Sequence, residues 1–230
     1  MTFRAGLLLF PDLTQLDLTG PHEVLARIPD CEVHVIAKNS AAVRTEHGLT
    51  MLPTTALANA PHLDLVCVPG GAGVNALLDD DETLAFLRKT AAHARYVTSV
   101  CTGALALGAA GLLRGKRATT HWASLHFLRE FGAVPVAERV VFDGNLITGG
   151  GVTAGIDMAL CIAAEIAGQN AAERIQLMIE YDPAPPFAAG SPRTANPALT
   201  ADVGVALAPR LAVRAEAVRR AAERLAIRDA

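Results

Sequence analysis

The residues with the clearest capacity for chemistry are Cys101 and Asp17. Cys101 closes the apolar, β-branched run Tyr96-Val97-Thr98-Ser99-Val100, and the small-residue run Gly103-Ala104-Leu105-Ala106 follows almost at once. With no loop between them, the cysteine is predicted to sit at a sharp strand-to-helix turn, presented at the top of a sheet. The unpaired N–H groups of the helix start lie behind it. That setting favours a thiolate, the nucleophilic form. A free cysteine is more often a small core residue, but position separates the four in this chain. Cys31 begins an apolar run, Cys67 lies within one, and Cys161 falls inside an apolar helical stretch. Asp17 stands between Leu16 and Leu18. A carboxylate held in apolar company beside a thiol is raised in pKa and can shuttle a proton. The plainer readings of Asp17 are a solvated loop residue or a cap for a helix near Pro21. Glu23 is its rival, as a surface or supporting residue.

Gly70-Gly71 follows the buried run Asp64-Leu65-Val66-Cys67-Val68 and permits close backbone approach. It reads either as a strand-ending turn or as a donor site, with the N–H groups of Gly71 and Thr102 forming an oxyanion-type hole. The stretch fits neither a phosphate loop nor a dinucleotide fingerprint. His121, before Trp122, is a base for Cys101 or a helix cap. Gly150, in Gly149-Gly150-Gly151, is a tight packing point or a pliant wall of the site.

The elements that must position these groups alternate. Strands are expected at Phe3 to Phe10, Glu32 to Ala37, Asp64 to Val68, Tyr96 to Val100 and Arg117 to Thr120. A hairpin is expected at Val43 to Leu52, and another at Val140 to Ile147 turning on Asp143-Gly144. Helices are expected from Gly20-Pro21 to Ile28, Asp79 to Ala94, Cys101 to Leu113, His121 to Phe131 (ended by Gly132), Gly151 to Ala167 and Asn170 to Tyr181. Short, unbroken apolar strands between helices indicate an α/β fold with a mainly parallel sheet covered on both faces. Ligands bind at the carboxyl ends of such strands, where Pro11–Asp17, Pro69–Gly73 and Cys101–Thr102 all fall. Residues 1–182 make the α/β domain. Residues 183–230 make a Pro/Ala-rich linker and an amphipathic helix over Arg210 to Ile227, packed on the domain or on a dimer partner.

Bulk properties narrow the function. The chain has 230 residues, 51% hydrophobic and 4% aromatic, with a net charge of −3. That gives no polycationic or base-stacking footprint for nucleic acid. No export signal or membrane-length apolar run is evident, which points to a cytoplasmic protein. The cysteines show no CxxC and no Cys/His cluster, which argues against a disulfide framework or a metal site.

The chain resembles the ThiJ/PfpI superfamily, related to class I glutamine amidotransferases. The resemblance rests on Phe10-Pro11 through Asp17 to Gly20-Pro21-His22-Glu23-Val24-Leu25, on Val68-Pro69-Gly70-Gly71, and on Ser99-Val100-Cys101-Thr102-Gly103-Ala104. Ala118-Thr119-Thr120-His121-Trp122 and Ile147-Thr148-Gly149-Gly150-Gly151 complete it. Within that superfamily it is most similar to the isocyanide hydratase branch. The resemblance implies a flavodoxin-like three-layer sandwich and a homodimer. It implies a cofactor-free hydro-lyase (carbon–oxygen lyase) that adds water to an isocyanide to give an N-substituted formamide. Cys101 would be the nucleophile forming a thioimidate, Asp17 the proton shuttle, and Gly71 and Thr102 the backbone donors. Hydrolase branches place histidine directly after the cysteine, where this chain has Thr102, so a Cys-His triad is not expected. Two other readings compete. One is a redox or stress sensor using the same thiol. The other is the ligand-sensing half of an AraC-type regulator, which needs helix-turn-helix units. The segment after Tyr181 offers one helix, with its arginines partly balanced by Glu216, Glu223 and Asp229.

Overall fold

Seven of the strands pair into one sheet whose interior members are buried on both faces. A computed structural model describes residues 2–228; Asp229 lies outside them. In chain order the elements are β1 (Phe3–Leu8), α1 (Gln15–Leu25), β2 (Cys31–Ala37), β3 (Val43–Arg44), β4 (Thr50–Met51), β5 (Thr55–Ala56), β6 (Leu65–Val68), α2 (Val74–Leu77), α3 (Asp81–Ala91), β7 (Tyr96–Val100) and α4 (Gly103–Ala109). There follow β8 (Arg117–Ala118), a 3-10 helix over Trp122–Phe131, β9 (Val134–Pro135), β10 (Val140–Asp143), β11 (Leu146–Gly149), α5 (Ala154–Ala167), α6 (Gln169–Met178) and α7 (Pro197–Arg228).

The sheet order is β10-β11-β7-β6-β1-β2-β5, and every pairing in it except β10 with β11 is parallel. All residues of β6 and β11 are buried, which is why β6 reads as an unbroken apolar run rather than an alternating one. α1, α5 and α6 pack together on one side; α2, α3, α4, α7 and the 3-10 helix form the other group. The result is the three-layer α/β architecture expected. No helix among the described residues is long and apolar enough to cross a membrane.

Several boundaries differ from the sequence expectation. α1 starts at Gln15, not at Gly20-Pro21, so Pro21 lies inside the helix and Asp17 lies in its first turn rather than in a loop. An internal proline removes one helical hydrogen bond. Here its ring is held against α5, where a Cβ on Gly155 would come within 3.0 Å of Pro21 Cγ and Cδ. The second hairpin turns on Gly144-Asn145, because Asp143 pairs with Leu146; Gly144 has φ 65°. α4 stops at Ala109, and Gly111 follows with φ 80°. The segment 122–131 is a 3-10 helix, ended as expected by left-handed Gly132. α7 begins well before Arg210, and its buried Ala217, Val218 and Ala221 face α2, α4 and the 3-10 helix of the same chain. This part of the apolar stripe is covered within the chain, while Val205 and Val213 of the same helix are exposed.

Phe131 fixes the 3-10 helix to α4: its side chain is 2% exposed, and a Cβ on Gly108 would lie 2.3 Å from Phe131 Cδ2. Phe131→Ala is expected to lower unfolding free energy by ~3–5 kcal/mol, read from urea denaturation. A loss under ~1 kcal/mol would show that the ring contributes little to the core.

Candidate active site

Cys101 adopts φ 53°, a left-handed conformation that only four non-glycine residues described here share. Such strain persists only where the surroundings over-determine it. The surroundings are evident. Cys101 N donates to Gly149 O at 3.0 Å, and Thr120 Oγ1 donates to Cys101 O at 2.6 Å. Gly103 must follow closely, since a Cβ there would lie 2.0 Å from Val68 O. The strand-to-helix elbow is thus pinned by β11, by the segment before the 3-10 helix and by the end of β6.

A second set of contacts brings Asp17 to the elbow. Leu13 bridges Gly71, Thr14 N donates to Gly70 O at 2.9 Å, and Gly73 N donates to Asp12 O at 3.0 Å. The loop after β1 is thereby fastened to the loop after β6, and α1 begins where its first turn faces Cys101. Gly70 N donates to Asp17 Oδ2 at 2.9 Å. Asp17 Oδ1 is buried and meets no hydrogen-bond donor; the Cys101 thiol lies beside this carboxyl and acts on its ionisation. Gly70 has no room for a side chain, because a Cβ would lie 2.6 Å from Thr102 N and 2.8 Å from Asp17 Oδ2.

The electrostatics correct one expectation. Burial, then the Asp17 charge, push the Cys101 thiol well above its ordinary value; the Thr102 N–H and the Arg214 guanidinium act in the opposite sense but lose. The resting group is a thiol, not the thiolate favoured by the helix start alone. Burial likewise pushes Asp17 up to about 7, against the Gly70 N–H and Cys101 hydrogen bonds that lower it. A carboxyl poised near neutrality beside a thiol is a pair across which one proton can be divided. The other cysteines are also raised by burial, Cys31 to about 11 and Cys67 to about 12. What sets Cys101 apart is its place beside Asp17 and its opening onto a cavity.

That cavity holds about 170 Å³ and is bounded by Cys101, Thr102 and Gly71, by Thr14, Glu46 and His47, by His121 and Val152, and by Leu207, Arg210, Leu211 and Arg214 of α7. A larger one, about 810 Å³, opens beyond the ends of β1 and β2 but contains no cysteine or histidine. Chemistry therefore selects the smaller. Gly71 N donates to Thr102 Oγ1 at 3.0 Å, so in this state the N–H expected as an oxyanion donor is engaged by a hydroxyl, leaving the Thr102 N–H as the donor beside sulfur. His121 borders the cavity, but its Nδ1 accepts from Ala123 N at 3.3 Å. Burial and the two arginines of α7 hold it below the ordinary histidine value. Its observed role is the cap. Gly150 is tied to Arg139 O at 2.9 Å and does not line the cavity. Glu23 is exposed on α1, paired with Arg27. Among the described residues no group of three or more His, Cys, Asp or Glu could hold a metal ion.

Sequence reasoning missed Glu46, Arg210 and Arg214. Glu46 accepts from Arg210 Nη1 and Nη2 at 2.9 and 2.7 Å, and from Ala72 N at 2.9 Å. Its burial works against ionisation, but those donors outweigh it and hold the carboxyl below its ordinary value. Arg214 is 4% exposed and donates to Gly71 O at 3.1 Å.

The pattern of the DJ-1/PfpI family matches residues 3–165. The chain belongs to the DJ-1/PfpI family. Within it, an isonitrile hydratase of Pseudomonas putida is 55% identical over 228 residues, covering 99% of this chain and 100% of that protein. A crystal structure of a ThiJ/PfpI family protein from Pseudomonas syringae superposes with a TM-score of 0.89 at 42% identity, covering 96% of this chain and 91% of that one. A transcriptional regulator of Pseudomonas aeruginosa, GbdR, is 31% identical over 185 residues, which cover 77% of this chain but 50% of the regulator. Proteins named for different functions therefore resemble this chain, and the groups around the elbow must decide its chemistry.

The raised carboxyl has a measurable consequence. Between Asp17's ordinary 3.8 and its folded value of about 7, the folded protein holds a proton that the unfolded chain has lost. Stability from this group is full below about pH 4 and is lost as pH rises toward 7. Asp17→Asn keeps an acceptor for Gly70 and does not titrate. Relative to it, the wild type should lose about 2–4 kcal/mol between those limits, measured by urea unfolding at successive pH values. Parallel stability curves would show that Asp17 is not so perturbed.

Proposed function

We propose that this protein hydrates isocyanides to N-substituted formamides, with Cys101 as nucleophile and Asp17 as proton shuttle. The observation that carries the reading is the buried Cys101–Asp17 pair at the strained elbow. The full-length likeness to the Pseudomonas putida isonitrile hydratase supports it.

The chemistry follows from the pair. The terminal carbon of R–N≡C carries a lone pair and, once protonated, is strongly electrophilic. The Cys101 proton passes to Asp17 and from there to that carbon while sulfur bonds to it, giving the thioimidate R–N=CH–S–Cys101. The substrate has gained one S–C and one C–H bond, and the thiol has lost its proton. Asp17, again a carboxylate, takes a proton from water as the oxygen adds to the same carbon, and delivers it to nitrogen. The adduct R–NH–CH(OH)–S–Cys101 then breaks its C–S bond. Its hydroxyl proton returns to the pair, and R–NH–CHO leaves. One nucleophile and one shuttle complete the cycle, and Thr102 N–H is available to charge on sulfur. The cavity, about 170 Å³, is below the ~300–1,000 Å³ usual for drug-sized ligands, which suits a small substrate.

The competing readings fare less well. A buried thiol raised in pKa is a poor oxidation sensor, since reactivity follows thiolate character and exposure. The regulator GbdR is 31% identical to this chain against 55% for the isonitrile hydratase, and residues 197–228 form a helix that lines the cavity. The homodimer and cytoplasmic location implied by the resemblance remain part of this proposal, and sedimentation velocity tests the first: a monomer throughout the micromolar range would remove it.

With p-nitrophenyl isocyanide as substrate and formamide followed by chromatography, Cys101→Ala and Cys101→Ser should show no turnover, while Cys161→Ala stays near wild type. Asp17→Asn should lower kcat ~10²–10⁴-fold through lost proton transfer. Wild-type turnover by Cys101→Ala would remove the mechanism; unchanged rates in Asp17→Asn would leave that residue a structural one.

A further inference from the structure

α7 carries several arginines, and all but one of those whose side chains are described meet carboxylates. Arg210 pairs with Glu46, Arg219 with Glu216 and Glu223, and both Arg220 and Arg224 with Asp79. Arg214 is the exception and the most buried of them. Its Nε donates to Asn75 Oδ1 at 3.1 Å, Nη1 to Ser124 Oγ at 3.0 Å and Nη2 to Gly71 O at 3.1 Å. All three acceptors are neutral. A guanidinium keeps its charge in proteins, and a buried charge without a counter-ion is unfavourable. Arg214 nevertheless stands in the wall of the cavity that Cys101 opens onto.

We propose that Arg214 is the counter-cation of the anion that Cys101 carries during turnover, positioned to draw charge onto sulfur and leave the shared proton on Asp17. The link runs through the backbone. Arg214 holds Gly71 O, Gly71 N donates to Thr102 Oγ1, and Thr102 N faces the Cys101 sulfur. The guanidinium stands in the wall of the cavity that Cys101 lines, whereas Asp17 is not among the residues bounding that cavity. Its field therefore favours the thiolate–carboxylic acid form of the pair over the thiol–carboxylate form. That is the form in which sulfur can attack and Asp17 has a proton to give. The other charged or titratable groups around Cys101 are Asp17 from α1, Glu46 and His47 from the hairpin of β3 and β4, His121 at the 3-10 cap, and Arg210. Glu46 is already engaged by both Arg210 nitrogens, so it is not Arg214's direct partner. Arg214 acts on the reacting atoms from beside them and is a positioning residue.

The catalytic consequence rests on the proposed isocyanide hydration, but the test does not require it. Full-length wild type, Arg214→Lys and Arg214→Gln are treated with iodoacetamide, a neutral probe, across pH. Alkylation of Cys101 is followed by peptide mass spectrometry, and retention of α7 is checked by circular dichroism. Arg214→Gln should move the Cys101 profile at least about one pH unit alkaline, lowering alkylation at a fixed pH about tenfold; Arg214→Lys should stay near wild type. In turnover of a neutral isocyanide, Arg214→Gln should lower kcat and leave KM largely unchanged. A wild-type alkylation profile in folded Arg214→Gln would overturn the proposal. So would a shift in Arg214→Lys as large as in Arg214→Gln, which would assign the effect to the hydrogen-bonded fork instead of the charge. A change confined to KM for carboxylate-bearing isocyanides would make Arg214 a substrate receptor and likewise overturn it. Should Arg214→Gln not fold, the Arg214→Lys profile decides alone, a wild-type position supporting the proposal and a full-unit shift refuting it.

Discussion

The close approach of a buried thiol and a buried carboxyl is the interaction on which the site depends. Burial raises both: at Asp17 the Gly70 N–H and the thiol oppose it, while at Cys101 the carboxyl adds to it and the Thr102 N–H and Arg214 oppose it. Much of the local structure serves to force that meeting. The left-handed turn at Cys101 aims sulfur off the sheet, Gly70 leaves room for Asp17 beside Thr102, and the loop after β1 is zippered to the loop after β6. The strain at Cys101 is tolerated because the hydrogen bonds of Gly149 and Thr120 and the close packing at Gly103 leave it no alternative.

The surrounding fold supplies rigidity rather than chemistry. Parallel strands buried on both faces present their carboxyl ends as a fixed rim, and the functional loops follow β1, β6 and β7 at that rim. α7 completes the enclosure from the far end of the chain, with Leu207 and Leu211 supplying apolar wall and Arg210 and Arg214 supplying charge. The cavity is thus small and bounded in part by buried residues, a setting in which a fixed positive charge acts more strongly than in bulk solvent. The DJ-1/PfpI pattern spans the elbow, Asp17 lies beside it, and α7 closes the cavity from outside the residues that pattern matches.

Much of this was legible in the sequence, for physical reasons. Strands buried on both faces tend to read as continuous apolar runs, so β6, alternating with helices like its neighbours, pointed to a parallel sheet. The abrupt change from β-branched to small residues at Cys101 announced the elbow. Asp17 was legible as a carboxylate in apolar company, though its place in a helix was hidden because Pro21 looked like a helix start. The depressed thiol expected from the helix terminus was wrong, because desolvation outweighs a few N–H dipoles and sequence does not reveal depth. Gly71 N–H could not be seen to be taken by Thr102, since that bond joins residues 31 positions apart. Arg214 left a signal that went unread: it falls between Leu211 and Val218 on the apolar stripe of α7, where a charged residue needs a buried reason.

The central claim is that Cys101 bonds covalently to the substrate carbon while Asp17 handles protons. Intact-protein mass spectrometry of acid-quenched Asp17→Asn enzyme with an isocyanide tests it most directly, because slowed hydration should let the intermediate accumulate. The account predicts a mass increase equal to the whole isocyanide, mapped by proteolysis to the peptide containing Cys101. Continued formamide production with no such adduct on Cys101 would contradict it.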